Sequence, residues 1–344
     1  MDSKPLPPQQ DDLELLQSIK LKTMEKKLAA RKKLILTIIK CGVSIALLSW
    51  ALRKTNLPDI FEAVSSANIP LLIAAFVVYL ASYYIRAHRW RILLLAQNVK
   101  ARIPYLYKSY MVSIFFSNFL PSTIGGDAVR AYDAWRLGTS KSVALATVFL
   151  DRFLGLLGLM LFGLGALFFS QKLIAQLPLL HLWVMLGTAA ILLLLSMIFI
   201  PSQKISSFIS KIKLPFWHHI KNKVLNIIKA FLAFGNRKHA LGMSMGLSLM
   251  VQISVIAHYY LIAKALDLPV PLLSFFVIIP LVSLIMVLPV SINAIGIREN
   301  AFVFFFGAYD YNLGRPEAIA FAWLAYGIVI IQGLLGGIVY ALRK

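Results

Sequence analysis

The segment YMVSIFFSNFLPSTIGGDAVR, residues 110–130, limits most sharply what this chain can become. It begins as an apolar helix and breaks at Asn118-Phe119-Leu120-Pro121. Proline lacks a backbone donor and clashes inside a helix, and the Gly125-Gly126 pair lets the chain turn sharply. Asp127 and Arg130 stand just beyond the break. Inside a bilayer, non-helical backbone is tolerated only where protein or a water-filled cavity covers it. Ionisable side chains at that depth mark a functional site by default. A broken apolar helix carrying an acid and a cation is therefore a candidate site.

A bilayer is the solvent that the rest of the chain calls for. Of 344 residues, 59% are hydrophobic and 14% charged, and mean hydropathy is +0.78. This pattern excludes a soluble globular domain and predicts an all-α polytopic membrane protein. No cleavable leader is read, because the first apolar run starts at Leu34 behind a charged segment. The single cysteine, Cys41, excludes a disulfide framework, and the six histidines lack metal-ligand spacing, so no cofactor is expected. A net charge of +21 suits nucleic acid in a soluble protein. In a chain this apolar it reads instead as cytoplasmic loops rich in Lys and Arg that attract anionic lipid.

Taken in order, residues 1–33 form a basic cytoplasmic segment and residues 34–341 a membrane domain. Full spans are predicted at 34–52, 69–86, 143–169, 178–200, 239–263 and 317–341, about six in all. The loop after the second span, holding Arg86, Arg89, Arg91, Lys100, Arg102 and Lys108 without an acid, is assigned to the cytoplasm. So is the loop 201–238, with eight Lys/Arg and no Asp or Glu. Within it, Trp217 to Phe234 alternates Lys with apolar residues at helical spacing, as a headgroup-level helix does. Trp50, Trp90, Trp183 and Trp217 are read as interfacial. The glycines Gly155, Gly158, Gly163 and Gly165, and later Gly327, Gly333, Gly336 and Gly337, are read as close-packing positions. Both termini fall on the cytoplasmic side.

Two broken segments, about 104–137 and 270–310, complete the plan. In the second, Leu288-Pro289 ends an apolar run, and Ser291, Asn293, Gly296, Arg298 and Glu299 come after it. Pro121 precedes Arg130 by nine residues, and Pro289 precedes Arg298 by nine. Charge makes the first hairpin enter from the cytoplasm and the second from outside, an inverted-repeat pattern of transporters. Charge does not decide whether 270–310 crosses fully or re-enters.

The stretch NFLPSTIGGDAVRAY resembles the transmembrane region of lysylphosphatidylglycerol synthases, a flippase-like family of bacterial and archaeal membrane proteins. The family's Asn, Pro, Gly-Gly-Asp and Arg are matched by Asn118, Pro121, Gly125, Gly126, Asp127 and Arg130. An acid-Arg pair followed by Gly is matched by Asp151, Arg152 and Gly155, and a Pro with Gly-x-Arg-Glu by Pro289, Gly296, Arg298 and Glu299. Many members carry a further Gly where this chain has Ala294. In the bifunctional synthases this region is associated with moving the aminoacylated lipid between leaflets, while the lipid-modifying activity belongs to a separate soluble domain. The resemblance thus implies a stand-alone lipid translocator in a bacterial or archaeal plasma (inner) membrane, and no enzyme.

Such a protein must shelter a phosphate headgroup. Arg130, Arg152 and Arg298 are the headgroup candidates, because guanidinium binds phosphate oxygens in a bidentate way and stays charged when desolvated. Asp127, Asp151 and Glu299 are expected to balance them, with Asp127 and Arg130 on one helix face. Asn118, Ser122, Thr123, Ser291 and Asn293 offer hydrogen bonds or caps, and a helix starting near Gly125-Gly126 would aim its N-terminus at a phosphate. Expected partners are membrane phospholipids, anionic ones foremost, and homo-oligomerisation is left open. Three readings compete: charges that only pair to fix helix packing, an intramembrane lipid-modifying enzyme, and a non-transporting membrane partner of a lipid- or glycan-modifying enzyme. No nucleotide-binding glycine loop or nucleophile–base pair favours the enzyme.

Overall fold

The computed structural model describes residues 41–53 except 44, 56–119, 124–169, 178–196, 217–288, 290–308, 311 and 313–343, with isolated positions before 41. Pro121, Ser122, Thr123, Pro289, most of 1–33 and residues 201–216 lie outside the described residues. The regular structure of the described residues is helical, without a strand. In chain order the helices are α1 (Cys41–Leu52), α2 (Leu57–Ser65), α3 (Ile69–Ala96), α4 (Ile103–Phe119), α5 (Ile124–Arg136) and α6 (Lys141–Phe169). Then come α7 (Pro178–Ser196), α8 (Trp217–Leu232), α9 (Lys238–Ala265), α10 (Leu272–Val287), α11 (Ile297–Ala308) and α12 (Arg315–Ala341).

Four of them, α3, α6, α9 and α12, are long and apolar enough to cross a membrane, and α1, α7 and α10 contain shorter apolar runs. Large apolar side chains face outward along these helices, among them Ile73, Phe168, Trp183, Leu193 and Ile338. So much exposed apolar surface suits contact with lipid. The chain is an all-α polytopic membrane protein.

Two sequence expectations need correction. The second span does not stop at residue 86, because α3 runs unbroken to Ala96. Arg86, Arg89 and Arg91 are helical residues, and the connecting loop is only 97–102. Asn68 caps the helix by accepting from the Leu71 N–H (3.2 Å), and no glycine or proline interrupts the chain from Leu71 to Ala96. Trp90 is likewise buried rather than interfacial.

Both broken segments are hairpins. At the open end of the first, the Tyr105 hydroxyl in the first turn of α4 donates to the Asp133 carbonyl near the end of α5 (3.1 Å). At the other end a Cβ on Gly126 would meet the Ser113 carbonyl at 2.5 Å and overlap the Ser117 hydroxyl. Glycine is thus what lets α5 fold back onto α4. In the second hairpin, Phe275 near the start of α10 packs on Phe306 near the end of α11 (6.4 Å between rings), and Tyr311 bonds Ser274. Helices α10 and α11 thus form a hairpin. Its arms of 16 and 12 residues reach about 24 and 18 Å, short of a hydrocarbon core of about 30 Å.

The spanning helix α12 serves as a rail for both hairpins. Phe321 packs on Phe302 and Phe306 of the second hairpin, and Tyr326 lies under Arg298. One turn on, the Val329 carbonyl accepts from Asn118 Nδ2 (3.1 Å). Gly333 faces Asn118, Gly336 faces the Met111 carbonyl, and Arg343 lies over Tyr105. The hairpins thus approach from opposite ends of α12. Their tips touch, with Asn293 Nδ2 donating to the Asn118 carbonyl at 2.8 Å. They meet beside Tyr326 and Val329, and Ile328 is the central residue of α12.

The amphipathic helix α8 packs on α6 and ends in a 3-10 turn, Ala233–Asn236, whose Phe234 is buried with Leu93, Leu150 and Leu154. Gly158 and Gly163 approach Ser248 and Leu284 closely, as packing glycines do, whereas Gly165 and Gly327 have open space.

Two substitutions probe this packing. Gly336→Val should separate α12 from α4 and cost about 1–3 kcal/mol, seen as a lower thermal midpoint in detergent, whereas Gly327→Val should leave the midpoint unchanged. Ala294 sits at φ 57° between α10 and α11, a left-handed conformation that suits glycine. Ala294→Gly should relieve about 1 kcal/mol and raise the same midpoint.

Candidate functional site

The buried carboxylate of Asp151, in the middle of α6, holds the site together and is 1% exposed. Arg89 Nε from α3 donates to Oδ1 at 2.7 Å. Arg130 Nη2 from α5 and the Tyr110 hydroxyl from α4 donate to Oδ2 at 2.8 and 2.6 Å. A buried carboxylate is tolerable only when paired and hydrogen-bonded in this way. Arg89 reaches on to a fifth helix through Nη1, which donates to the Ser248 hydroxyl of α9 (2.8 Å). Gly155 makes room for it, since a Cβ there would lie 3.3 Å from the guanidinium.

Arg130 is 4% exposed and lies between two aromatic faces, 4.5 Å from Trp90 and 4.0 Å from Tyr110. Cation–π contacts of this kind offset desolvation of the guanidinium. Asp127 stands 3.9 Å from Arg130 on the same helix and pairs with Arg152 Nε. Asp151 and Arg152 are chain neighbours that serve different partners. Adjacent helical residues point about 100° apart, so Asp151 faces inward while the Arg152 side chain is 49% exposed.

These groups line a cavity of about 510 Å³ bounded also by Tyr83, Asn118, Gln252 and Val329. Arg86 borders it too, with its guanidinium 4.8 Å above the Tyr83 ring. Four guanidinium groups, Arg86, Arg89, Arg130 and Arg152, face two carboxylates, Asp127 and Asp151. The wall is cationic by two charges.

The second break is built differently. Arg298 is 5% exposed, stacks 4.3 Å from the Tyr326 ring and donates to the Asn293 carbonyl (3.1 Å). Its Nη1 is buried without a hydrogen-bond partner. Glu299 does not balance it, contrary to the sequence expectation. Its Oε2 accepts from the Gly296 N–H (2.7 Å), a cap on α11. Gly296 has φ 80°, and a Cβ there would press on Leu47 of α1 at 2.5 Å. Ser291 is buried and its hydroxyl has no partner, and Asn293 is spent on the tip-to-tip bond. Arg298, Ser291 and Glu299 do not line the cavity.

Of the predicted residues, then, Asn118, Asp127, Arg130, Asp151 and Arg152 come together at one cavity. Gly125 and Gly126 form the first turn of α5 beside it, and Ser291, Asn293, Gly296, Arg298 and Glu299 build the neighbouring tip. Sequence reasoning missed Arg86, Arg89, Tyr83 and Tyr110. The helical spacing of buried Ser82, Arg89 and Leu93 was the available signal, and counting Arg89 as a loop charge concealed it.

Removing the shared carboxylate should be severe. Asp151→Ala leaves Arg89 without an acid and Arg130 with only the more distant Asp127, with an expected loss of about 3–5 kcal/mol and of monodisperse protein on size exclusion. Tyr110→Phe removes one neutral donor and should cost about 1 kcal/mol.

The sequence model of the "Lysylphosphatidylglycerol synthase TM region" matches residues 37–337. The chain is similar to the UPF0104 membrane protein PH1989 of Pyrococcus horikoshii, with 26% identity over 176 residues. That match covers 50% of this chain and 51% of that protein, so the chain spans about half the length of the relative.

Proposed function

Because the chain belongs to the family of lysylphosphatidylglycerol synthase transmembrane regions, we propose that it moves a phospholipid or lipid-linked headgroup between leaflets without covalent chemistry. The observation that carries this reading is the cationic cavity beside the meeting point of two hairpin tips, at the level of the centre of α12. A phosphate-bearing headgroup needs cationic shelter at that depth, and guanidinium groups supply it without losing their charge.

The roles divide by burial. Asp151, Arg89, Arg130 and Tyr110 satisfy one another and hold α3, α4, α5 and α6 around the cavity. Arg86 and Arg152, less buried, are the headgroup contacts. Arg298 carries a buried N–H without a partner at the second tip, a group that a phosphate oxygen passing the tips would satisfy. On this reading no residue acts as a catalyst. The end holding Arg136 and Arg343 faces the cytoplasm of a bacterial or archaeal plasma membrane. The opposite rim, where Asp59, Glu62 and Glu317 line a cavity of about 410 Å³, faces outward, in keeping with the positive-inside rule.

Proteoliposomes carrying fluorescent phospholipids, with outer-leaflet label quenched chemically, test the proposal. The protein should speed exchange between leaflets. Arg86→Gln and Arg152→Gln should each slow it roughly fivefold, the equivalent of ~1 kcal/mol per cation. Exchange no faster than in empty vesicles, or indifferent to both variants, would count against transport.

A further inference from the structure

A second cavity, of about 1100 Å³, opens where α4 begins and both α5 and α12 end. Its lining is graded. Lys108, Arg136 and Arg343 stand at or near the ends of their helices, and Phe116, Val129 and Val339 lie farther along the same helices. On α4, Lys108 and Phe116 are eight residues, or about 12 Å, apart along the axis, so the cations are confined to the end of the cavity and its deeper lining is apolar. The helices agree in direction, since α4 leads away from this end at Ile103 while α5 and α12 lead towards it at Arg136 and Ala341.

The charge is unbalanced as well. Three cations share one lining carboxylate, that of buried Asp133, and Arg343 Nη1 takes its Oδ2 at 2.8 Å. Arg343 Nη2 is buried without a hydrogen-bond partner. Lys108 and Arg136 are exposed and pair with no acid among the described residues. The volume exceeds that of a small-molecule pocket, roughly 300–1,000 Å³, and half of the side chains that line it are apolar.

We propose that this cavity holds one phospholipid with an anionic headgroup, drawn from the leaflet at the basic end and seated apart from the central cavity. The phosphate lies among Lys108, Arg136 and the orphaned N–H of Arg343. The first methylenes of the chains run along Phe116, Val129 and Val339 inward. Zwitterionic lipid lacks the net charge that the three cations call for. The proposal does not rest on translocation, because a protein that only bound lipid would still possess the site.

Native mass spectrometry of the delipidated full chain, incubated with dioleoylphosphatidylglycerol or dioleoylphosphatidylcholine, tests it. One phosphatidylglycerol adduct should form that phosphatidylcholine does not match. Lys108→Gln with Arg136→Gln should weaken that adduct roughly thirtyfold, and each single variant roughly fivefold. Lys108→Arg with Arg136→Lys should retain it, and so should the central-cavity variant Arg152→Gln. Both substituted side chains are exposed, so an unchanged thermal midpoint identifies folded protein. Equal retention of the two lipids, insensitivity to the double variant, or displacement by millimolar inorganic phosphate would each overturn the proposal, the last by pointing to a soluble anion.

Discussion

One carboxylate ties this membrane domain together. Asp151 takes hydrogen bonds from Arg89, Tyr110 and Arg130, and so joins α6 to α3, α4 and α5 at a single point. Arg89 extends the link to α9 through Ser248. In apolar surroundings helices gain little by burying more apolar surface, so packing and polar contacts hold them in place. Breaking a buried ion pair is costly because the remaining charge has nowhere to go. The same constraint gives the cavity its sign, since two carboxylates are too few for the guanidinium groups around it.

A related demand shapes the hairpin tips. Each tip leaves backbone groups without helical partners, and hydrocarbon supplies none. The structure meets this with side chains from the breaks themselves. Asn293 covers the Asn118 carbonyl, and Glu299 covers the Gly296 N–H. Residues that look like a binding site in the sequence are therefore partly occupied with covering backbone. Two guanidinium groups of this region, Arg86 and Arg298, keep a buried N–H without a hydrogen-bond partner.

Much of this was legible beforehand. Leu-Pro and glycine-rich breaks in apolar runs announced two interrupted helices, because proline and glycine act on the backbone wherever they stand. The Asp127–Arg130 pairing was implied by helical spacing. The extent of α3 was not, because Arg residues inside a spanning helix look the same in sequence as Arg residues in a loop. Glu299 adjoins Arg298 in the chain and still serves a cap, because adjacent helical residues point in different directions.

The division has a physical cause. Hydropathy, prolines and glycines act locally, so the string of residues alone was enough to specify a helical membrane domain with two breaks and charges beside them. Ion pairing and cavity shape act between segments. Arg130 and Arg89 meet Asp151 from 21 and 62 residues away, and Asn293 meets Asn118 from 175. Only the packing of the helices chose those partners, and with them which cations are held fast by a buried carboxylate.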